Sequence, residues 1–233
     1  MRIALFGYGK MGKTIEKLAL QHGHSIVLKI NDAKDPVDFS QVDVAIDFST
    51  PEAAYANIIK ALDNKIPIVC GTTGWLHRYD EVVRYCKEKQ GSFIYASNFS
   101  LGVNLFFELN RYLAQLLQSY DYEPQIVETH HIQKLDAPSG TAITLANQIL
   151  PFKEKRKWAL DTNKPDELNI IAKRIDKVPG THQVCYDSDV DQIAITHTAK
   201  NRDGFALGAL IAATFIINKK GIFTMKDVLK KAT

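Results

Sequence analysis

The segment GYGKMG, Gly7 to Gly12, limits the fold more than any other part of this chain. It follows a short β-rich run, Arg2 to Phe6, and leads into KMGKTIEKLALQ, where Met11, Ile15, Leu18 and Ala19 fall on one helical stripe. The glycines thus have the G-x-G-x-x-G spacing between a strand and a helix. Their tasks would be a tight turn, close approach of backbone to a pyrophosphate, and close packing of helix on strand. After His22-Gly23 a second β-rich run, SIVLKI, ends at Asn31-Asp32. Asp32 stands 20 residues beyond Gly12, where a dinucleotide-binding fold places the acid that holds the adenosine ribose hydroxyls. The glycines alone would also suit an ordinary strand-to-helix joint, but strand, glycines, helix and acid in this order predict a dinucleotide site. Its expected contacts are Gly7, Tyr8, Gly9, Lys10, Met11, Gly12 and Asp32. A carboxylate at position 32 repels a 2′-phosphate and so favours NADH, whereas Lys34 and Lys10 could offset the repulsion and leave NADPH open.

Three further β-rich runs, DVAIDFS, PIVCGTT and SFIYASNFS, alternate with helical segments at PEAAYANIIKALDN and LHRYDEVVRYCKEK. This alternation implies an α/β fold with a Rossmann-like parallel sheet and right-handed crossovers. One crossover is short: only NDAKDPVDFSQV separates SIVLKI from DVAIDFS, without an apolar helical stripe. Ligands gather at the carboxyl ends of such strands. Besides the glycine loop, that rule selects Asp47 to Thr50, Gly71, Thr72 and Thr73, and Ala96, Ser97, Asn98 and Phe99.

Beyond Ser100 the pattern changes. VNLFFELNRYLAQLLQS reads as an amphipathic helix with Leu105, Leu109, Tyr112, Leu113, Leu116 and Leu117 inward. A β-type run, PQIVETHH, then delivers His130 and His131 on opposite faces, with Lys134 four residues after His130. DAPSGT ends the strand, and Ser139, Gly140 and Thr141 open the helix TAITLANQIL. A helix start offers unpaired N–H groups and the positive end of a dipole, so this cluster predicts an anionic small-molecule site with proton donors at hand. FKEKRKWALDTNKPDE, without a sustained period, reads as an exposed loop, and the alternation and short turns of LNIIAKRID, THQVCYDS and DQIAITHTAKN suggest strands that pair antiparallel. FALGALIAATFIINKK and TMKDVLKK read as helices, the last returning to the first domain. The expected division is a dinucleotide-binding domain at 1–100 and 206–233 around an α+β substrate-binding and oligomerisation domain at 101–205, with a mixed or antiparallel sheet. A sheet covered by helices on one side needs cover on the other, which predicts a homo-oligomer, with a tetramer as the favoured size.

Composition sets outer limits. With 233 residues, 45% of them hydrophobic, the chain is long enough for one large or two modest domains, each with its own core. Lys and Arg total 29 against 26 acids, too mild and scattered a surplus for nucleic acid. Cys70, Cys86 and Cys185 lack C-x-x-C spacing and sit in apolar runs, as expected for buried thiols in a reducing cytoplasm. MRIALF runs into a glycine turn before any export-type apolar core develops, and FALGALIAATFII is shorter than the roughly 20 residues of a membrane span. Consecutive histidines on a strand point apart, so no metal site is expected.

GYGKMG, DFST, GTTG, ASNFSLGVN and above all ETHHIQKLDAPSGTA together resemble the 4-hydroxy-tetrahydrodipicolinate reductase family, also called dihydrodipicolinate reductase, over nearly the whole chain. The resemblance implies NADH- or NADPH-dependent reduction of a cyclic imine dicarboxylate in the diaminopimelate route to lysine, with tetramerisation through the second domain. It makes His130 and Lys134 the proton-handling pair, His131 a substrate contact, Gly140 and Thr141 the carboxylate-binding pair, and Gly71 to Thr73 and Ala96 to Phe99 cofactor loops. The chain departs from the family's common form in several places. Its glycine loop is one residue shorter, Lys10 stands where arginine is usual, and Ile132 and Gln133 replace often-basic residues. GTH at Gly180 to His182 replaces a Gly-Glu-like sequence. A nucleotide-sensing regulator that kept only the first half would need no proton donors beside a carboxylate-binding helix.

Overall fold

A computed structural model describes residues 1–31, 37–201 and 203–230. Asp32 and Lys34 lie outside the described residues. The chain divides into two compact units, Met1–Leu101 with Asp203–Thr233, and Gly102–Arg202.

The first unit begins with β1 (Arg2–Phe6), α1 (Lys10–Gln21), β2 (Ser25–Ile30) and β3 (Val44–Asp47). No helix is found among the described residues between β2 and β3, as the sequence of that crossover suggests. α2 (Pro51–Asp63), β4 (Ile68–Cys70), α3 (Tyr79–Glu88) and β5 (Ser92–Tyr95) continue the alternation. Every residue of β3 and β4 is buried, which is why, Asp47 at the end of β3 apart, these strands are continuously apolar rather than alternating.

The end of β3 is fixed by its own charge. The Asp47 side chain is fully buried and accepts hydrogen bonds from Ser49 N–H at 3.0 Å, Asn57 Nδ2 at 2.8 Å and the Thr72 hydroxyl, tying the strand end to α2 and to the loop after β4. Burial raises the Asp47 pKa, and these donors work against that rise. Asp47→Ala would strand three donors at once, so a loss of about 3 kcal/mol of stability is expected from urea denaturation.

The second unit opens with α4 (Leu101–Leu116) and continues through β6 (Glu123–His130), α5 (Gly140–Ile149), β7 (Lys157–Leu160), β8 (Glu167–Arg174), β9 (Thr181–Asp187) and β10 (Gln192–Thr198). The five strands form one sheet in the order β10-β9-β6-β8-β7. It is mixed: β8 runs parallel to both β6 and β7, while β9 runs antiparallel to β6 and β10. The segment read as an exposed Lys-rich loop therefore holds an edge strand, KWAL. Four residues are too few for a period to show, and a short edge strand with an exposed lysine is a common form.

The facing of α4 also differs from expectation. Val103, Phe106, Asn110 and Ala114 are its buried residues, whereas Leu105, Leu109, Tyr112 and Leu116 are about half exposed. Leu117, as expected, is buried. The reason is close packing on α5: Ala114 takes little room, and the Asn110 amide donates to Leu145 O and Gln148 Oε1 at 3.2 and 3.0 Å. Val103, Phe106, Asn110 and Ala114 thus face the core with Leu113 partly packed on it, and Leu105, Leu109, Tyr112 and Leu116 are left on the outside.

α6 (Asp203–Ile216), β11 (Gly221–Phe223) and α7 (Met225–Lys230) complete the first unit. β11, not foreseen because it is three residues long, pairs in parallel with β5. The finished sheet is β11-β5-β4-β3-β1-β2, parallel throughout, and its order reverses at β1/β3, the place where such sheets take ligands. α6 packs closely: a Cβ on Gly208 would lie 1.7 Å from Phe99 O. Among the described residues no helix is long and apolar enough to cross a membrane. Cys70 and Cys86 are buried free thiols, whereas Cys185 is only half-buried.

Candidate active site

In the second unit, β6 buries alternate residues, so Glu128 and His130 share one face two positions apart. β6 ends at His130, and His131 is the first residue of the following loop rather than a strand residue on the opposite face. The neighbouring strands complete the cluster by register: His182 on β9 lies opposite Glu128, and Arg174 on β8 lies opposite His130. Glu128 Oε1 accepts from Ser139 N–H at 3.1 Å and Arg174 Nη2 at 3.2 Å, while Oε2 lies 3.2 Å from His130 Nδ1. The His130 and His182 rings meet edge to face with centroids 5.0 Å apart. His182 Nε2 is 3.0 Å from the Ser139 hydroxyl. Glu128, His130 and His182 present atoms all within 4.8 Å of one another, a spacing that would also admit a metal ion and that the sequence did not disclose.

Ser139 is the N-cap of α5, accepting from Ala142 N–H at 3.2 Å. That leaves the first two N–H groups of the helix, on Gly140 and Thr141, without partners among the described residues, at a positive helix end where Gly140 is exposed. Lys134 reaches Asp136, with both carboxylate oxygens 2.7 Å from Nζ. Arg174 braces the same loop by donating to Lys134 O at 3.3 Å and Asp136 O at 2.7 Å. His131 is half-buried, and its backbone oxygen accepts from Lys134 N–H.

Two pKa shifts govern the charge here. Burial works to raise the Glu128 carboxyl, but the close approach of His130, the Ser139 N–H and Arg174 together hold it down to about 2. Burial, with some repulsion from His130, pushes His182 down to about 4, so that its ring is neutral near pH 7. Between pH 6.5 and about 4 an unfolded chain protonates His182 while the folded chain resists. Between 4.5 and about 2 the same holds for Glu128. In both windows the unfolded state binds more protons, so stability falls as pH falls, by up to ~1.4 kcal/mol per pH unit for each group. His182→Asn is expected to flatten this decline between pH 6.5 and 4, measured as urea midpoints across that range.

In the first unit, Gly7 has φ +84°, and a Cβ there would lie 2.4 Å from Phe48 O; one on Gly12 would lie 2.4 Å from Gly7 O. Those two glycines are required by the turn and by packing. Gly9 is different: nothing stands within 4 Å of a Cβ, and it caps α1 without a side-chain bond, so the helix start is open to an anion. Lys10 is exposed on the first helical turn. Tyr8 is turned onto Glu16 and Lys29, and Met11 packs on the core. The Thr72 hydroxyl is engaged with Asp47 and Ser49, and its carbonyl accepts from Trp75 Nε1 at 2.8 Å; Gly71 fits under the Phe48 ring, and Thr73 is exposed. Ala96 and Phe99 pack in the core, Ser97 is exposed, and the Asn98 side chain accepts from Ser100 N–H.

A family model described as dihydrodipicolinate reductase, C-terminus, matches residues 102–229, and its N-terminus counterpart matches residues 28–99. The chain belongs to the dihydrodipicolinate reductase family. It is 56% identical over 233 residues to the 4-hydroxy-tetrahydrodipicolinate reductase of Christiangramia forsetii, covering 98% of each chain. It is 37% identical over 242 residues to the protein of that name from Caldanaerobacter subterraneus subsp. tengcongensis, covering 96% of this chain and 95% of the other. A dipicolinate-bound dihydrodipicolinate reductase from Paenisporosarcina sp. TG-14 has the same fold, with a TM-score of 0.76 at 23% identity over 96% of this chain and 97% of that one.

For this dihydrodipicolinate reductase family chain, sequence reasoning missed Glu128, Arg174 and His182 as members of the site. Glu128 was detectable, since residues two apart on a strand share a face. The other two arrive by strand pairing, which leaves no local signal.

Proposed function

We propose that this chain reduces 4-hydroxy-tetrahydrodipicolinate to tetrahydrodipicolinate with NADH or NADPH, in the diaminopimelate route to lysine. The observation that carries the reading is the pair of unpartnered N–H groups on Gly140 and Thr141, opening on the same short stretch as His130 and Lys134. Together with the family, it supports a carboxylate seat beside proton donors. Gly140 and Thr141 bind one carboxylate, His131 contacts the substrate, and Lys134 exchanges Asp136 for the incoming anion while serving as the second proton donor. His130 delivers the first proton.

The first unit fits a dinucleotide: Gly9 leaves open space, and the uncapped start of α1 suits a pyrophosphate. When bound, the reduced nicotinamide supplies the hydride. Gly7 to Gly12, Gly71 to Thr73 and Ala96 to Phe99 hold it, largely through backbone, and Asp32 favours NADH by repelling a 2′-phosphate. A higher kcat/KM with NADPH than with NADH would overturn that preference.

The assay that tests the function supplies the product of dihydrodipicolinate synthase and either cofactor, then follows loss of reduced-nicotinamide absorbance. No oxidation with either cofactor would sink the assignment. Lys134→Ala should raise KM and lower kcat together.

The same reading includes a homotetramer. The sheet of the second unit is covered by helices on one face, and a single chain leaves the α4 stripe of Leu105, Leu109, Tyr112 and Leu116 half exposed. A monomeric mass by light scattering would count against assembly.

A further inference from the structure

The buried cluster around Glu128 holds two orphans that answer one another. Glu128 Oε2 and His130 Nδ1 are both buried, neither has another hydrogen-bond partner, and they lie 3.2 Å apart. Catalytic hydrogen bonds are often poorly aligned before substrate binds, so this approach is the expected resting form of a bond that tightens in the complex. The opposite edge of the ring faces Gly180, where a Cβ would lie 3.1 Å from His130 Nε2 and 3.3 Å from Cδ2. With φ +156°, position 180 suits glycine, and its missing side chain keeps Nε2 clear.

We propose that Glu128 is the positioning residue for His130, accepting its Nδ1–H and thereby reserving Nε2 as the nitrogen that exchanges a proton with the substrate. The proposal rests on His130 being the proton donor. Reduction leaves an electron pair on the substrate atom to be protonated. Imidazolium Nε2–H gives up its proton to that atom, the N–H bond breaks as the new bond forms, and His130 remains as the neutral Nδ1–H tautomer that Glu128 already holds. Solvent then returns the proton.

The surroundings fit this assignment. Arg174 Nη2 and the Ser139 N–H both occupy Glu128 Oε1, which leaves Oε2 for the histidine. The charged and titratable groups facing His130 are Glu128 on its own strand, His182 on β9 and Arg174 on β8 through Glu128, while Lys134 on the following loop and His197 on β10 act on His182. His182 stays neutral near pH 7, and its Nε2 lies closer to the Ser139 hydroxyl, at 3.0 Å, than to Glu128 Oε2, at 3.8 Å, so it does not compete as a cation for Glu128. A divalent ion among Glu128, His130 and His182 would have to sit beside the Arg174 guanidinium, and the arginine already supplies the positive charge.

The experiment reads the tautomer directly, by nitrogen-15 NMR of the histidine rings in the wild-type protein, with His130→Gln used to assign the signal. In its neutral form, His130 should carry its proton on Nδ1. A neutral Nε2–H tautomer in the wild type would overturn the proposal whether or not any variant folds. Glu128→Gln should shift the tautomer toward Nε2–H and lower kcat by about 10–100-fold, with KM changed much less, and Glu128→Asp should recover part of the loss. Unchanged kcat and tautomer in a folded Glu128→Gln would also overturn it. If His130→Gln keeps full activity, the proton-donor reading fails, and the tautomer measurement still decides what Glu128 does.

Discussion

Replacing His130 by Gln is expected to lower kcat by about 10²–10⁴-fold while leaving binding of the reduced nicotinamide unchanged. Glutamine suits the test because its side-chain amide reaches the place of Nε2 and fills much of the ring's space, although it leaves Glu128 Oε2 without the Nδ1 that lies 3.2 Å from it. The buried carboxylate keeps Ser139 N–H and Arg174 on Oε1, so the fold should survive, with thermal unfolding as the control. An amide cannot release a proton near neutral pH, so the loss falls on turnover. Steady-state kinetics with cofactor fluorescence titration would separate the two. A kcat within a few-fold of wild type would leave Lys134 as the sole proton donor.

Gly140→Pro is expected to raise the KM for the dicarboxylate by about 10–100-fold while leaving stability unchanged or slightly increased. Gly140 is the first residue of α5, a position proline favours because the N–H it lacks has no helical partner there. Ser139, at φ −65° and ψ 153°, already has the extended backbone required before proline, and nothing stands within 4 Å of a Cβ on Gly140. The substitution thus removes one N–H donor and little else. An unchanged KM would mean that the carboxylate is held elsewhere, and a lowered melting temperature would show that the glycine serves the fold.

Local patterns made much of the molecule legible. The first sheet could be read because each strand is a short apolar run followed by a helix with its own stripe, and the glycine loop stands at the joint. The helix start at Ser139 could be read from S-G-T before an apolar period. Where reading failed, the deciding forces were not local. Leu105, Leu109 and Leu116 were assigned inward on hydrophobicity, but α4 turned Val103, Phe106, Asn110 and Ala114 to the core, where Asn110 found partners on α5. KWAL became a strand because β8 offered an edge to pair with.

By itself, then, the sequence determined the dinucleotide loop, the strand-helix order and the stretch that carries His130, Lys134, Gly140 and Thr141, since all depend on residues within a few positions of one another. Only the tertiary structure decided which groups surround His130. Glu128 meets His182 and Arg174 because β9 and β8 flank β6 in particular registers, and a shift of one residue in either pairing would turn those side chains to the other face of the sheet.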